Sequence, residues 1–339
     1  MSSLNYYGHG KLLLTGEYFV VDGARGLAVP TKKGQNLDIT FRPSRRPKLY
    51  WKSVDADGKA WFEGEFDLWH FDVLKTSNLE KAEYLKSVLR TAREFNIHFL
   101  RDDMDIHAQT SLEFPHLWGL GSSSTLIYLV SQWAYVSPFE MAKKIQRGSG
   151  YDLACAQSQG PIVYQLKTEG GGTPSWTAVD FANYFKNQLY FVYLEKKQLS
   201  SQALSYYNSL IFKSKGELVS KISSLTDEAV MALDLKTFEE ILFEHECVLS
   251  DALKLQRVKV THFPDYWGEV KSLGAWGGDF ALITSSRSAE ETKAYFARRG
   301  FSQFYSYNQM VYNDRVNTPE MLSIQKKILT NENYAGTWF

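Results

Sequence analysis

Pro115-His116-Leu117-Trp118-Gly119-Leu120-Gly121-Ser122-Ser123-Ser124 is the stretch on which the fold turns. Two glycines one residue apart hand over to three hydroxyl side chains. A helix is predicted from Ser123 to Val136, with Leu126, Ile127, Leu129, Val130, Trp133 and Ala134 apolar on nearly every side, which marks it as deeply buried. The first amides of a helix have no partner inside it and lie at the positive end of its dipole. Glycine lets the backbone come close to an anion, so the bend reads as a phosphate cradle. Hydroxyls beside a bound phosphate can also ligate magnesium. A serine-rich cap after a tight turn would leave the same letters. No G-x-x-x-x-G-K-[ST] occurs, so the cradle is not a Walker loop.

Three other glycine-bearing segments surround this one in sequence. Gly8-His9-Gly10-Lys11 precedes Thr15-Gly16-Glu17-Tyr18. Backbone at a strand start holds the stem of Lys11, so its ammonium can neutralise a transferring phosphoryl group; a solvated edge-strand lysine is the plainer alternative. Glu17 reads as a structural partner for a neighbouring backbone or basic group. Gly148-Ser149-Gly150-Tyr151-Asp152-Leu153-Ala154-Cys155 carries a carboxylate beside an apolar run. Partly buried, Asp152 would want a cation such as Lys11, or would cap the short helix that follows. Lys271-Ser272-Leu273-Gly274-Ala275-Trp276-Gly277-Gly278-Asp279-Phe280 ends in a strand, and its small residues allow a backbone turn to touch a ligand or to make a plain hairpin.

Around these segments the periodicity alternates between strand and helix. Residues 11 to 42 read as strands and hairpins, including Tyr18-Phe19-Val20-Val21 before an Asp22-Gly23 turn. Ala82, Leu85, Val88, Leu89, Ala92 and Phe95 fall at helical spacing. Asp105 to Ala108 and Pro161 to Leu166 read as strands. In the second half come a strand at Leu189 to Leu194, a helix striped by Phe238, Ile241, Leu242, His245 and Leu249, a strand at Phe280 to Thr284, a serine-capped helix from Ser288 to Arg299, and a strand at Gln309 to Tyr312. Strands mixed with helices on one side give an α+β fold in two domains.

The 339 residues balance 38 lysines and arginines against 38 aspartates and glutamates, so no overall field draws in nucleic acid or an anionic membrane. Cys155 and Cys247 lack metal or redox spacing, and Glu244-His245-Glu246 lacks an H-E-x-x-H spacing, so His245 reads as a satisfied helix histidine. With no signal-peptide pattern and no run of about 18 apolar residues, a cytoplasmic protein is expected.

Taken in order, the four segments resemble the motif set of the GHMP kinase superfamily: G-K followed by G-E-Y, P-x-x-x-G-L-G-S-S, S-G-x-D-x-A, and G-A-x-G-G-D. The resemblance runs over almost the whole chain. It implies a ribosomal S5 domain 2-like N-terminal domain over residues 1–180, which binds ATP. It also implies a ferredoxin-like C-terminal domain over 181–339, with ATP and acceptor meeting in the cleft between them. Phosphomevalonate kinases are the nearest likeness, on Asp152-Leu153-Ala154-Cys155 with Ile162-Val163-Tyr164-Gln165, and mevalonate kinases are the near competitor. A decarboxylase that first phosphorylates its substrate, or a metabolite sensor without turnover, would share the fold.

The resemblance further implies that Gly119, Leu120, Gly121, Ser122, Ser123 and Ser124 wrap the triphosphate, with Ser122 or Ser123 reaching Mg2+. Lys11 and Asp152 would face the transferred phosphoryl group, and Gly274, Ala275, Gly277 and Gly278 would close on the acceptor or the phosphates. Family members often place a magnesium-binding glutamate between the second and third motifs, where Glu140 is the one glutamate present, in a different register. Trp276 stands where the family commonly has glycine. The implied substrate is a small acidic metabolite, phosphomevalonate or mevalonate, handled by a monomer or homodimer with no nucleic-acid or membrane partner.

Overall fold

The computed structural model describes residues 3–101, 103–145, 148–167, 172–195, 200–274 and 278–315. Tertiary contacts divide the chain into two units that interleave in sequence. One comprises the chain up to Lys11 and Thr31–Gln157; the other comprises Leu12–Pro30 and the chain from Ser158 on.

The first unit begins with β1 (Ser3–Leu13) and β2 (Gly26–Pro43), whose inner ends run on into the second unit. Then come β3 (Lys48–Val54), β4 (Ala60–Asp67), β5 (Val73–Thr76), α1 (Leu79–Phe95), β6 (Met104–Leu112), α2 (Ser122–Ala134), α3 (Pro138–Ile145) and α4 (Tyr151–Gln157). The strands pair in the order β5-β4-β3-β6-β2, with β1 also on β2. The β3–β6 pair is parallel; β2–β6, β3–β4 and β4–β5 are antiparallel.

Alternation decides which face of this sheet is covered. Leu37 and Ile39 of β2, Leu49 and Trp51 of β3, and Ile106 and Ala108 of β6 point one way and are buried. They pack with Ala82, Leu85, Val88 and Leu89 of α1 and with Ile127, Val130 and Trp133 of α2. Each fully buried Leu or Val contributes about 1.5–3 kcal/mol of transfer free energy, so this layer fixes where α2 starts. Asn78 starts α1 as expected of a cap, its side chain accepting from Lys81 N at 3.0 Å.

In the second unit β7 (Ile162–Lys167) pairs antiparallel with Gly26–Ala28 of β2 and with β8 (Thr173–Ala178). There follow β9 (Leu189–Tyr193), α5 (Ser200–Ser209), α6 (Lys215–Met231), α7 (Leu235–Leu253) and α8 (Val258–His262). The remainder is β10 (Val270–Leu273), β11 (Phe280–Thr284), α9 (Ala289–Ala297), β12 (Phe304–Ser306) and α10 (Tyr307–Met310). A four-stranded sheet runs β10-β11-β9-β12, antiparallel throughout. With helices after its first and third strands this is the ferredoxin-like β-α-β-β-α-β arrangement. One of its faces is packed by Val258, Phe263, Tyr266, Tyr295 and Phe296.

Two predicted strands are helical turns. Phe19–Asp22 is a 3-10 turn between Tyr18 at φ 65° and Gly23 at φ 94°, and Phe19 and Val20 are buried in it. Four apolar residues cannot by themselves distinguish strand from helix. Gly16 decides the matter, because at φ +90° it turns the chain where an added Cβ would come within 2.7 Å of Gly26 Cα. Phe19 then packs with Tyr207, Ile222, Leu249 and Leu253. The strand expected at Gln309–Tyr312 begins instead inside a helical turn, α10 (Tyr307–Met310), because Ser306 and Gln309 make a capping box: Ser306 Oγ accepts from Gln309 N at 3.3 Å, and Gln309 Oε1 accepts from Ser306 N at 2.9 Å. The strand of that region lies just before, at β12.

Candidate active site

The glycine-serine stretch folds as a bend that ends in α2. Gly119 has φ 65° and Gly121, the residue before the first helical turn, has φ 96° and ψ 34°, both in the left-handed region. A Cβ on Gly121 would sit 3.3 Å from Lys11 Cγ, so glycine here serves the turn and the close approach of the lysine stem together. Gly10 is held as tightly, since an added Cβ would meet Thr31 Oγ1 at 2.5 Å and Leu120 O at 3.0 Å. Strand β1 thereby lies against the bend: Lys11 N donates to Leu120 O at 3.0 Å, and Lys11 Nζ donates to Gly119 O at 2.9 Å. The start of α2 is pinned from its inner side by Thr125 Oγ1, which donates to Gln35 Oε1 of β2 at 2.5 Å.

Gly121 has no side chain with which to cap α2. The leading amides of the helix therefore face the bend with the dipole's positive end, while Ser122 is half-buried, Ser123 exposed and Ser124 buried. Ser124 donates to Asp152 Oδ2, and Asp152 Oδ1 accepts from Leu153 N at 3.0 Å, which fixes the carboxylate at the first turn of α4.

Next to Asp152, the ring centroid of Tyr151 is 5.7 Å from Lys11 Nζ. Burial pushes the Tyr151 phenol up to about 12, against the pull of Lys11 and with the help of Asp152. Burial also raises Tyr84 of α1 to about 12, reinforced by Asp152. The Cys155 thiol is raised by burial and by Asp152 as well. All three groups stay neutral near pH 7 and form an uncharged wall beside Lys11 and Asp152.

Glu140 stands apart from this group in its contacts. It lies in the first turn of α3, exposed, with Lys143 Nζ 2.9 Å from its Oε1. Gly274 follows β10 at φ 72° and Gly278 is buried just before β11, whereas Ala275 and Gly277 lie outside the described residues, as does Trp276. Glu17 does have a basic partner, Lys271. His245 is buried in α7 and accepts from Gly16 N at 3.0 Å, and no cluster of metal-ligating side chains occurs among the described residues.

The sequence did not disclose the neighbours of the bend. Asp55, just after β3, receives His116 N at 3.1 Å on one oxygen and meets His116 Nδ1 at 2.9 Å with the other. The Trp61 ring stacks on His116 at 5.7 Å, and Lys81 Nζ sits 4.2 Å from the Trp61 ring. No local pattern joins positions 55, 61, 81 and 116; the packing of loops, β4 and α1 does.

The wall thus combines helix-start amides, oxygen donors and one fixed ammonium. These are the elements that hold a polyphosphate and a hard divalent cation.

No sequence-family model matches the chain, and no curated protein matches it in sequence. Solved structures do match it in shape. The mevalonate kinase of Methanococcus jannaschii superposes with a TM-score of 0.66 at 16% identity, over 90% of this chain and 97% of the other. The phosphomevalonate kinase of Streptococcus pneumoniae, solved with phosphomevalonate and AMPPNP, gives 0.67 at 17% identity, over 90% and 100%. The fold is that of the GHMP kinases. Galactokinase from Lactococcus lactis, solved with galactose, shares it too, with a TM-score of 0.62 at 15% identity over 92% and 94%. Matches this distant and this mixed in substrate show the architecture alone. Among the described residues no helix is long and apolar enough to cross a membrane.

Proposed function

We propose that the protein is an ATP-dependent phosphotransferase acting on a small acidic metabolite, phosphomevalonate in the first place and mevalonate in the second. The observation that carries this reading is the convergence of Lys11, the Gly119–Ser124 bend and Asp152 at the start of a buried helix. In this reading the amides from Gly119 to Ser124 hold the triphosphate and Lys11 offsets charge on the phosphoryl group in flight.

Magnesium fits the donor set, since Ser122, Ser123, Ser124 and Asp152 all present oxygen. Bound there, it would neutralise charge on the phosphates. Glu140 is left out of the proposed ligands, because it is exposed and engaged by Lys143. Gly274, Ala275, Gly277 and Gly278 are carried forward as proposed contacts to the acceptor or the phosphates.

The role of Asp152 follows from the acceptor. An alcohol must lose a proton, and a carboxylate within reach can take it as general base. A phosphate monoester has a second pKa of about 6 and is already largely ionised near neutral pH, so Asp152 would then orient the acceptor and Lys11. Positioning and charge neutralisation supply most of the acceleration in either case.

Purified protein with magnesium-ATP and, separately, mevalonate, phosphomevalonate and diphosphomevalonate, followed for ADP and carbon dioxide, tests the reading. ADP with phosphomevalonate alone is expected. Carbon dioxide would replace the kinase reading with a decarboxylase, and nucleotide binding without ADP would replace it with a sensor.

A further inference from the structure

Inside the second unit, four ionisable side chains from three segments meet with almost no water. Glu17 follows the Gly16 turn, His245 and Glu246 lie on α7, and Lys271 lies on β10; their side chains are 0–2% exposed. Lys271 Nζ donates to Glu17 Oε1 and to Ser272 O at 3.1 Å, and stands 3.4 Å from Glu246 Oε1. His245 Nε2 accepts the Gly16 amide at 3.0 Å, so that nitrogen holds a lone pair and the imidazole is neutral despite lying 3.7 Å from Glu17 Oε2. Burial, and then Lys271, holds His245 well below the usual histidine range.

One ammonium therefore faces two carboxylates, and it is committed to the first. Neither oxygen of Glu246 has a hydrogen-bond partner among the described residues. The next cation, Arg257 at the start of α8, is engaged by Glu269, with Nη2 to Oε1 at 2.5 Å, and Lys259 Nζ lies 3.5 Å from Glu269 Oε2. An ionised Glu246 would be a buried charge without its own counterion, which is costly, and the cluster is balanced when this carboxyl holds a proton.

We propose that Glu246 is a positioning residue, whose gain or loss of a proton resets the Gly16–Glu17 turn and the exit of β10 into Gly274. Deprotonation draws Lys271 away from Glu17 toward the second carboxylate. Both ends of that pull are stiff: the Gly16 amide is bonded to the neighbouring His245, and Lys271 is three residues from Gly274 along a fully buried strand. That the turn bears on phosphoryl transfer, since Lys11 precedes Gly16 in the chain, rests on the proposed function.

Burial raises Glu246 from 4.5 to about 7, with Glu17 reinforcing the rise and Lys271 and Arg257 opposing it. Glu17 is likewise raised by burial, against Lys271. Between 4.5 and 7 the folded chain keeps a proton that the unfolded chain has released, so stability falls as pH rises through this window and then levels.

The test uses the full chain labelled with 15N-glycine, wild type and Glu246→Gln, titrated from acid to alkaline pH by NMR with ADP release measured alongside. The proposal expects the Gly16 and Gly274 amide signals of the wild type to move with one shared midpoint near neutrality. It expects kcat, rather than KM for ATP, to follow that midpoint, and expects Glu246→Gln to lose both responses. Stationary wild-type signals, or identical titrations in the two proteins, would overturn it, and the wild-type titration decides alone if the variant does not fold. Absence of ADP at every pH would strike the kinase reading, while the glycine signals would still judge the cluster.

Discussion

Lys11 and Asp152 are held by different means, and this shapes what their removal should do. Lys11 is fixed through its backbone and ammonium on the 119–120 carbonyls, and Asp152 through Ser124 and its own helix start. Neither belongs to the buried apolar layer, so Lys11→Ala and Asp152→Asn should both remain folded by circular dichroism. Loss of one charge-stabilising group typically costs about 100-fold or more in kcat, and both variants should fall at least that far in an ADP-release assay. Near-normal rates in both would take these residues out of the mechanism. Both stand out as letters near glycines, Gly10 required by the close approach of Thr31 and Leu120 and Gly150 by its left-handed backbone. The Ser124 contact and the Tyr84 and Tyr151 walls left no mark in the sequence, since they depend on which turn of α1, α2 and α4 meets which. Glu17 was read as a structural partner without its partner being named, because Lys271 is 254 positions away.

Elements with a long period or an explicit cap were legible nearly to the residue. The run from Ala82 to Phe95 gave α1, and the apolar run after Ser123 gave α2. Ser288 with Glu291 gave α9 its capping box. Short apolar runs failed, at residues 18–21 and 309–312, where a glycine bend or an overlooked Ser306–Gln309 box overrode β-propensity. Strands β4 and β5 went unread, since Gly64 takes an inward position of β4 between Phe62 and Phe66 and short β5 has no buried residue. The capping box makes an element-scale prediction: Ser288→Ala removes a side-chain acceptor from Glu291 N, 3.2 Å away, and should lower unfolding free energy by about 1 kcal/mol in denaturant titration. An unchanged midpoint would mean that packing alone starts α9.

At the scale of the molecule, the balance of 38 basic and 38 acidic residues gives no overall electrostatic attraction for a polyanion, so the proposed phosphate grip has to be local. A fold shared with enzymes that differ in substrate does not by itself choose a substrate, which is the work of particular side chains. The account therefore stands on one local event, a nucleotide's polyphosphate held at the mouth of α2. A crystal structure of the protein grown with magnesium and a non-hydrolysable ATP analogue measures it most directly. The account predicts phosphate oxygens within hydrogen-bond distance of the Gly121–Ser124 amides, with Lys11 and Asp152 beside the terminal phosphate. A nucleotide bound elsewhere, with the bend and both side chains uninvolved, would contradict it.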